Sequence, residues 1–230
     1  MNSTKKNATN PIVKSAGASS RNQNHMGLTP ADRPGCVIMA SGLGRRFGEN
    51  KLLTLFHGEP LISHILEITA SPVFSCRIVV TRHKEIAELC RQHQIDFLLH
   101  QMPGQNDTIR LGLQNLLCRT PSLPGCCFCT GDQPLLTQKS LEALALTFSS
   151  QPDRICRCAF ENRPGNPVIF PASWFPELLQ LPNDTGGGYL IRQHPDQVLS
   201  VPVQYGWELE DIDCPEDMIR LSAIRTPPCL

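Results

Sequence analysis

Along the first two-thirds of this chain, short and mostly apolar runs alternate with longer stretches of helical periodicity. The runs are Cys36 to Ala40, Arg77 to Thr81, Asp96 to Leu99 and Cys126 to Thr130. Each is short enough, and rich enough in Val, Ile and other β-formers, to predict a buried strand. The stretches His83 to His93, Asp107 to Cys118 and Thr137 to Ser149 place apolar residues on one helical face. Strand–helix alternation of this kind predicts an α/β, Rossmann-like three-layer fold with a mostly parallel central sheet. Ligands in such folds collect at the carboxyl ends of the strands.

The second half changes character. Prolines stand at 164, 167, 171 and 176, and Pro164-Gly165-Asn166-Pro167 reads as a tight turn before a short strand, Val168 to Phe170. Asp184-Thr185-Gly186-Gly187-Gly188 opens a helix over Tyr189 to His194, and Cys214-Pro215-Glu216-Asp217 marks another helix start. This region, about 160–205, is expected to be a ligand-binding lobe of one domain spanning 34–225.

Composition narrows the partners. The 230 residues hold 21 basic and 21 acidic side chains, unevenly placed. Lys5, Lys6, Lys14, Arg21 and Arg33 face only Asp32 in residues 1–33, a tail of +4, which leaves −4 for the rest. An acidic main body argues against nucleic acid as the partner. The tail is rich in Asn, Ser and Lys without apolar periodicity and is expected to be disordered. It has no apolar signal core, and no stretch approaches the roughly 20 apolar residues of a membrane helix, so a cytoplasmic protein without membrane contact is expected. Eleven cysteines, an odd number set largely inside apolar runs, are read as small core residues of a reduced protein.

The candidate chemistry begins at Cys36 to Lys51, CVIMASGLGRRFGENK. Ser41, Gly42, Gly44 and Gly48 let the backbone turn past the first strand with its N–H groups outward, and Arg45, Arg46 and Lys51 add positive charge. Such a rim suits a polyphosphate. It is not a P-loop, since Phe47 and Glu49 stand where that motif needs Gly and Lys-Ser/Thr. It is not a dinucleotide fingerprint either: Phe47 replaces the third glycine and Arg82, not an acid, follows the second strand. Asp132 should emerge at the same rim, either as a hard ligand for a metal or as the cap of the following helix. Asp211 and Asp213 pose the same choice, one capping a helix and the other facing the rim. Asp107 or Thr108 caps the helix after Gly104, and a hydroxyl there can also meet a ligand.

Met39-Ala40-Ser41-Gly42-Leu43-Gly44-Arg45-Arg46-Phe47-Gly48-Glu49-Asn50-Lys51 resembles the L-A-A-G-x-S-x-R-M-G-x-x-K signature of MobA-like nucleotidyltransferases, relatives of the molybdenum cofactor guanylyl- and cytidylyltransferases. The resemblance continues through Gly104 to Leu113, Gly131 to Pro134, Pro164 to Val168, Asp184 to Gly188 and Asp211 to Asp217, and so covers roughly 35–222. It implies a nucleotidyltransferase fold in which Ala40, Ser41, Gly42, Gly44, Arg46, Lys51 and Thr108 bind the nucleotide. Asp132 and Asp213 would hold Mg²⁺, with Asp211 in reserve. Arg46 would neutralise the leaving pyrophosphate, and Lys51 the charge developing at the α-phosphate. Asn166, Pro167, Gly186 and Gly187 would meet the acceptor. In the related G-D-x-G-A-R block an arginine stands where this chain has Gly188, which leaves the acceptor less defined. Ser41 occupies the position that is Gly in guanylyl and Ala in cytidylyl enzymes, so its side chain favours a pyrimidine. The resemblance thus implies cytidylyl transfer from CTP to molybdenum-loaded molybdopterin, serving xanthine dehydrogenase-type hydroxylases through transient contact. A guanylyltransferase, a sugar- or polyol-phosphate nucleotidyltransferase and a nucleotide-binding cofactor chaperone are the alternatives.

Overall fold

The computed structural model describes residues 28–42, 47 and 50–224. Within these, strands β1 (Gly35–Ala40), β4 (Cys76–Thr81), β5 (Phe97–Leu99), β6 (Gly125–Thr130), β7 (Ile155–Phe160), β8 (Arg163–Pro171) and β9 (Val198–Pro202) form one sheet in the order β5-β4-β1-β6-β8-β7-β9. A two-stranded hairpin, β2 (Leu55–Phe56) and β3 (Glu59–Pro60), stands apart. Only β8 runs against its neighbours; the β5-β4-β1-β6 ladders and β7-β9 are parallel. In register, Ala40 faces Thr81, Thr81 faces Leu99 and Met39 faces Thr130, so four strands end at one rim.

Helices cover both faces. Helices α1 (Leu61–Ile68), α2 (Lys84–Gln92), α4 (Gln138–Ser150) and α7 (Pro215–Ser222) pack on one, through Ile65, Ile86, Leu144 and Leu221 among others. Helices α3 (Gln105–Arg119), α5 (Phe175–Leu179) and α6 (Gly188–Gln193) pack on the other, through Leu113, Leu178 and Leu190. Alternation along each strand divides the apolar residues between the faces: Ile38 goes to one core and Val37 to the other. At Gly112 a Cβ would lie 2.7 Å from Val37 Cγ1 and 2.9 Å from Val80 Cγ2, so glycine there lets α3 settle directly on the sheet.

Most of the described thiols are core, as expected, but Cys118 is exposed and Cys76 and Cys214 are half-buried. Cys36, Cys127, Cys129, Cys156 and Cys158 share the face covered by α1, α2, α4 and α7 and are fully buried. Cys36 Sγ lies 3.8 Å from Cys129 Sγ, which lies 3.7 Å from Cys127 Sγ. Cys126, one residue out of phase, points into the opposite core.

Two expectations need correction, one in the second half and one at the N-terminus. Pro164-Gly165-Asn166-Pro167 is not a turn; it lies within β8. The ladder between β8 and β6 covers only Val168 to Pro171, whereas Arg163 and Pro164 pair with β7 alone, across a register shift. Proline is tolerated because this part of β8 has a strand on one side only. The second correction concerns the tail. Residues 1–27 lie outside the described residues, but the expected boundary at 33 falls too late: Leu28 is buried in the core and Pro30–Asp32 form a 3-10 turn. Among the described residues, no helix is long and apolar enough to cross a membrane.

Candidate active site

The rim gathers its charged groups from segments far apart in sequence. Asn50 accepts a hydrogen bond from Leu52 N (3.3 Å) and starts the 3-10 turn Lys51–Leu53, which turns Lys51 inward. The Lys51 ammonium donates to Ile212 O at 2.7 Å, to Asp132 Oδ2 at 2.8 Å and to Asp213 Oδ1 at 3.0 Å. Burial works against its charge, but Asp132 and then Asp213 outweigh it and hold the pKa above the ordinary lysine value. Asp132 sits one residue beyond Gly131, whose N–H donates to Met39 O (3.0 Å), and Asp132 O accepts from Ile212 N (3.0 Å). Those two backbone bonds join the ends of β1 and β6 to the segment before α7.

That segment has its own anchor. Glu208 is fully buried and its carboxylate accepts five hydrogen bonds. Oε2 takes Thr137 N (3.2 Å), Thr137 Oγ1 (2.7 Å) and Ser140 Oγ (2.5 Å) at the start of α4; Oε1 takes Gln204 N and Tyr205 N (3.1 Å each). No pattern in the sequence announced this residue.

The capping alternatives resolve against all three aspartates. Thr137 caps α4. Asp217 takes the N–H groups of Asp213 and Cys214 at 3.1 Å each, so neither Asp211 nor Asp213 caps α7, contrary to the expectation that one would. Asp211 stands beside the other two instead; burial, and after it the Asp132 and Asp213 carboxylates, push its carboxyl up to about 7. Among the described residues, Asp132 Oδ1 and Asp211 Oδ1 are buried without a hydrogen-bond partner. Buried carboxylate oxygens are costly unless paired. Oxygens of this kind are the hard donors that a divalent cation takes. As the side chains stand, however, Asp132, Asp211 and Asp213 do not bring one oxygen each within 4.8 Å of one another, so holding a common ion would need a rotamer change. Lys51 already stands between Asp132 and Asp213, so a cation held by both would require it to yield a contact.

A cavity of about 320 Å³ opens beside this cluster, lined by Ser41, Gly42, Arg82, Gly104, Thr108 and Asp132, among others. Ser41 Oγ donates to Val80 O (3.1 Å) and pairs with His100 Nε2 (2.9 Å). His100 Nδ1 accepts from Met102 N (3.2 Å), which places the proton on Nε2 and makes His100 the donor to Ser41. The Ser41 hydroxyl is thus used inward, and the side chain meets the cavity by its bulk. Ala40 lies buried beneath, its carbonyl accepting from Thr81 Oγ1 (2.9 Å). At the start of α3 the capping and ligand roles separate. Asp107 accepts from Gly104 N (3.1 Å) and pairs with Arg110 (2.7 Å), whose guanidinium holds the carboxyl below its usual range. Thr108 Oγ1 is buried, lacks a partner among the described residues and belongs to a residue lining the cavity. Arg82 and Gln105 also line it and were not anticipated. Gly44 and Arg46 lie outside the described residues.

A second cavity, about 650 Å³, lies toward β7, β8 and α6, lined by Arg157, Asn166, Gly186, Gly187, Tyr189 and Arg192, among others. Phe128 and Phe170, edge to face at 6.1 Å, contribute its apolar wall. A Cβ on Gly187 would lie 2.8 Å from the Phe170 ring, so glycine is required for the loop to close over that wall. Pro167 does not line the cavity, although Asn166 and Val168 on either side of it do. Met39 and Gln105 line both cavities, which therefore adjoin.

The sequence profile of the MobA-like NTP transferase domain matches residues 36–198. A protein of Thermococcus kodakarensis named "Probable molybdenum cofactor guanylyltransferase" is 28% identical over 120 residues, 52% of this chain and 56% of that protein. The purine catabolism protein PucB of Bacillus subtilis is 27% identical over 198 residues, 80% of this chain and 94% of its own. The crystal structure of Rv0371c from Mycobacterium tuberculosis H37Rv superposes with a TM-score of 0.71 at 22% identity, covering 84% of this chain and all of that one. Its complex with manganese gives 0.66 at 19% identity, over 83% and 98% of the two chains. At such identities the structural likeness shows the fold.

Proposed function

Because this chain belongs to the MobA-like NTP transferase family, we propose that it transfers a cytidylyl group from CTP to molybdenum-loaded molybdopterin and releases pyrophosphate. The observation that supports a two-substrate transfer is the pair of adjoining cavities, sharing Met39 and Gln105, with the carboxylate–ammonium cluster at the edge of one. The triphosphate occupies the smaller cavity and the acceptor the larger. Molybdopterin suits the larger by its planar ring, which the Phe128–Phe170 wall can support, and by its phosphate. The relative named for molybdenum cofactor guanylyl transfer supports the molybdopterin acceptor but is named for the other nucleotide, so the choice of CTP rests on Ser41. The relative named for purine catabolism suits a product that would serve xanthine dehydrogenase-type hydroxylases through transient contact.

In this reading Asp132, Asp213 and Asp211 hold Mg²⁺, which when bound neutralises the triphosphate and draws electron density from the α-phosphorus. The remaining work belongs to the chain. Lys51, released from one carboxylate, turns its ammonium to the charge developing on the α-phosphate. Arg46 neutralises the departing pyrophosphate. Thr108 donates its unpaired hydroxyl to ribose or base, while Ala40, Gly42 and Gly44 bring backbone close to the nucleotide. Ser41 narrows the space beside the base. Asn166, Gly186 and Gly187 orient the acceptor, with Pro167 stiffening the strand behind them. The acceptor phosphate attacks in line, so catalysis rests on positioning and electrostatics, without a protein nucleophile.

Pyrophosphate release measured with each of four triphosphates, against molybdenum-loaded molybdopterin and against sugar 1-phosphates, tests this. CTP with the pterin should give the highest kcat/KM. Preference for GTP would make the protein a guanylyltransferase, preference for a sugar phosphate would move it to another acceptor class, and binding without release would leave a carrier.

A further inference from the structure

The larger cavity holds two cations that neither the rim chemistry nor the sequence motifs employ. Arg157 lies on β7, opposite Val168 of β8 and level with Phe128 of β6, so its side chain enters the cavity from the sheet. Its Nε is buried and has no hydrogen-bond partner among the described residues. Arg192 lies on α6 and enters from the opposite wall. Among the described residues neither guanidinium has an ion-pair partner, and Asp184 is the one carboxylate lining the cavity. Two guanidinium groups without ion-pair partners, Arg157 half-buried and Arg192 exposed at the cavity's mouth, favour an anion, most of all one with several acceptor oxygens.

Arg192 has a further relation to the loop before it. A Cβ built on Gly188 would lie 3.5 Å from Arg192 Nη1. The guanidinium thus lies in van der Waals reach of where a side chain at 188 would start, and 188 is where the related G-D-x-G-A-R block has its arginine. One helical turn separates the two positions, so the i+4 spacing puts the charge on the same helix face.

We propose that Arg157 and Arg192 form the anion-binding end of the acceptor cavity, taking a phosphomonoester, with Arg192 supplying the charge absent at Gly188. This rests on the assignment of the larger cavity to the acceptor.

Three variants test it: Arg157→Gln, Arg192→Gln, and Arg192→Gln combined with Gly188→Arg. Initial rates of pyrophosphate release are taken with acceptor varied at saturating triphosphate, then with triphosphate varied at saturating acceptor. Each single variant should raise the acceptor KM about tenfold or more, the usual cost of one hydrogen bond to a charged group, and leave the triphosphate KM within about twofold. The relocated arginine should recover most of the loss, which a purely structural role for Arg192 would not produce. An unchanged acceptor KM, or a triphosphate KM that rises in step, would overturn the assignment. Equilibrium titration with phenyl phosphate, an aromatic phosphomonoester, reads the same site without turnover. Affinity should fall at least tenfold in the Arg157→Gln/Arg192→Gln double variant, and equal affinity would refute the proposal even in a protein that transfers to no acceptor tried. If the wild type uses a sugar phosphate and the arginine effects persist, the pterin reading fails while this site stands.

Discussion

Replacing Glu208 by Gln keeps the shape of the side chain and changes which atoms can accept. The two oxygens take five hydrogen bonds, three of them from backbone N–H groups that cannot turn around. An amide is best placed with its oxygen toward Gln204 N and Tyr205 N. Its NH₂ then faces Thr137 and Ser140, whose hydroxyls can rotate to accept, but Thr137 N–H is left pointing at another donor. One stranded N–H costs about 1–3 kcal/mol. The four surviving bonds lose charge assistance, roughly half their strength. An amide is cheaper to bury than a carboxylate, which offsets part of this. The balance is a loss of about 2–4 kcal/mol, a large share of the roughly 5–15 kcal/mol that stabilises a domain. Urea titration followed by circular dichroism should show a lower midpoint with an unchanged slope. Ser140→Ala, which deletes one donor and leaves four, should cost only about 1 kcal/mol. If Glu208→Gln is as stable as wild type, this carboxylate does not anchor the segment that leads to Asp211 and Asp213.

Asp132→Asn should retain the fold and lower turnover by roughly 10²–10³-fold at saturating triphosphate, comparable with loss of an electrostatic stabiliser, and near-normal kcat would remove Asp132 from the chemistry. Ser41→Gly should shift the CTP/GTP ratio of kcat/KM toward GTP by about 1–3 kcal/mol, without full inversion, because it supplies no donor for a purine edge; a ratio that stays put would show that Ser41 does not read the base. His100 offers a pH signature. Burial, and after it Arg82, lowers its pKa below 6.5 against the pull of Asp107, so the folded protein binds its proton less readily than the unfolded chain. The stability owed to neutral His100 is therefore complete above pH 6.5 and is lost as pH falls below it toward the lowered value. Wild type should lose more stability than His100→Gln between pH 7 and 5.5, and parallel curves would refute the lowered pKa of His100.

What the chain's pattern revealed and what it hid have physical causes. β1, β4 and β6 were legible because they are buried on both faces, so nearly every residue is apolar. α3 and α4 were legible by period. β7, with Arg157 between two cysteines, reads as neither regime, and the prolines of β8 argued for a turn because nothing in the sequence says that a strand has only one hydrogen-bonded neighbour there. At the site, loop glycines and Asp132 follow directly from a strand and were visible. Asp211 looked like a spare because burial, which distinguishes it from Asp213, is a tertiary property. Arg157, Arg192 and Glu208 lie outside any motif, and only folding brings them to their places.

The packed thiols of β1, β6 and β7 give this protein a built-in clock. Cys118 is exposed, whereas Cys36, Cys127, Cys129, Cys156 and Cys158 lie at the centre of the sheet, under the helices of one face. A thiol-specific reagent reaches the first at once and the others only when strands part. Labelling at Cys118 thus counts molecules, and labelling at the central five counts rare openings of the sheet itself, which fall at the high end of the range of local stabilities. A ligand that bridges β1, β6 and the segment after β9 should slow that clock without touching a single sulfur.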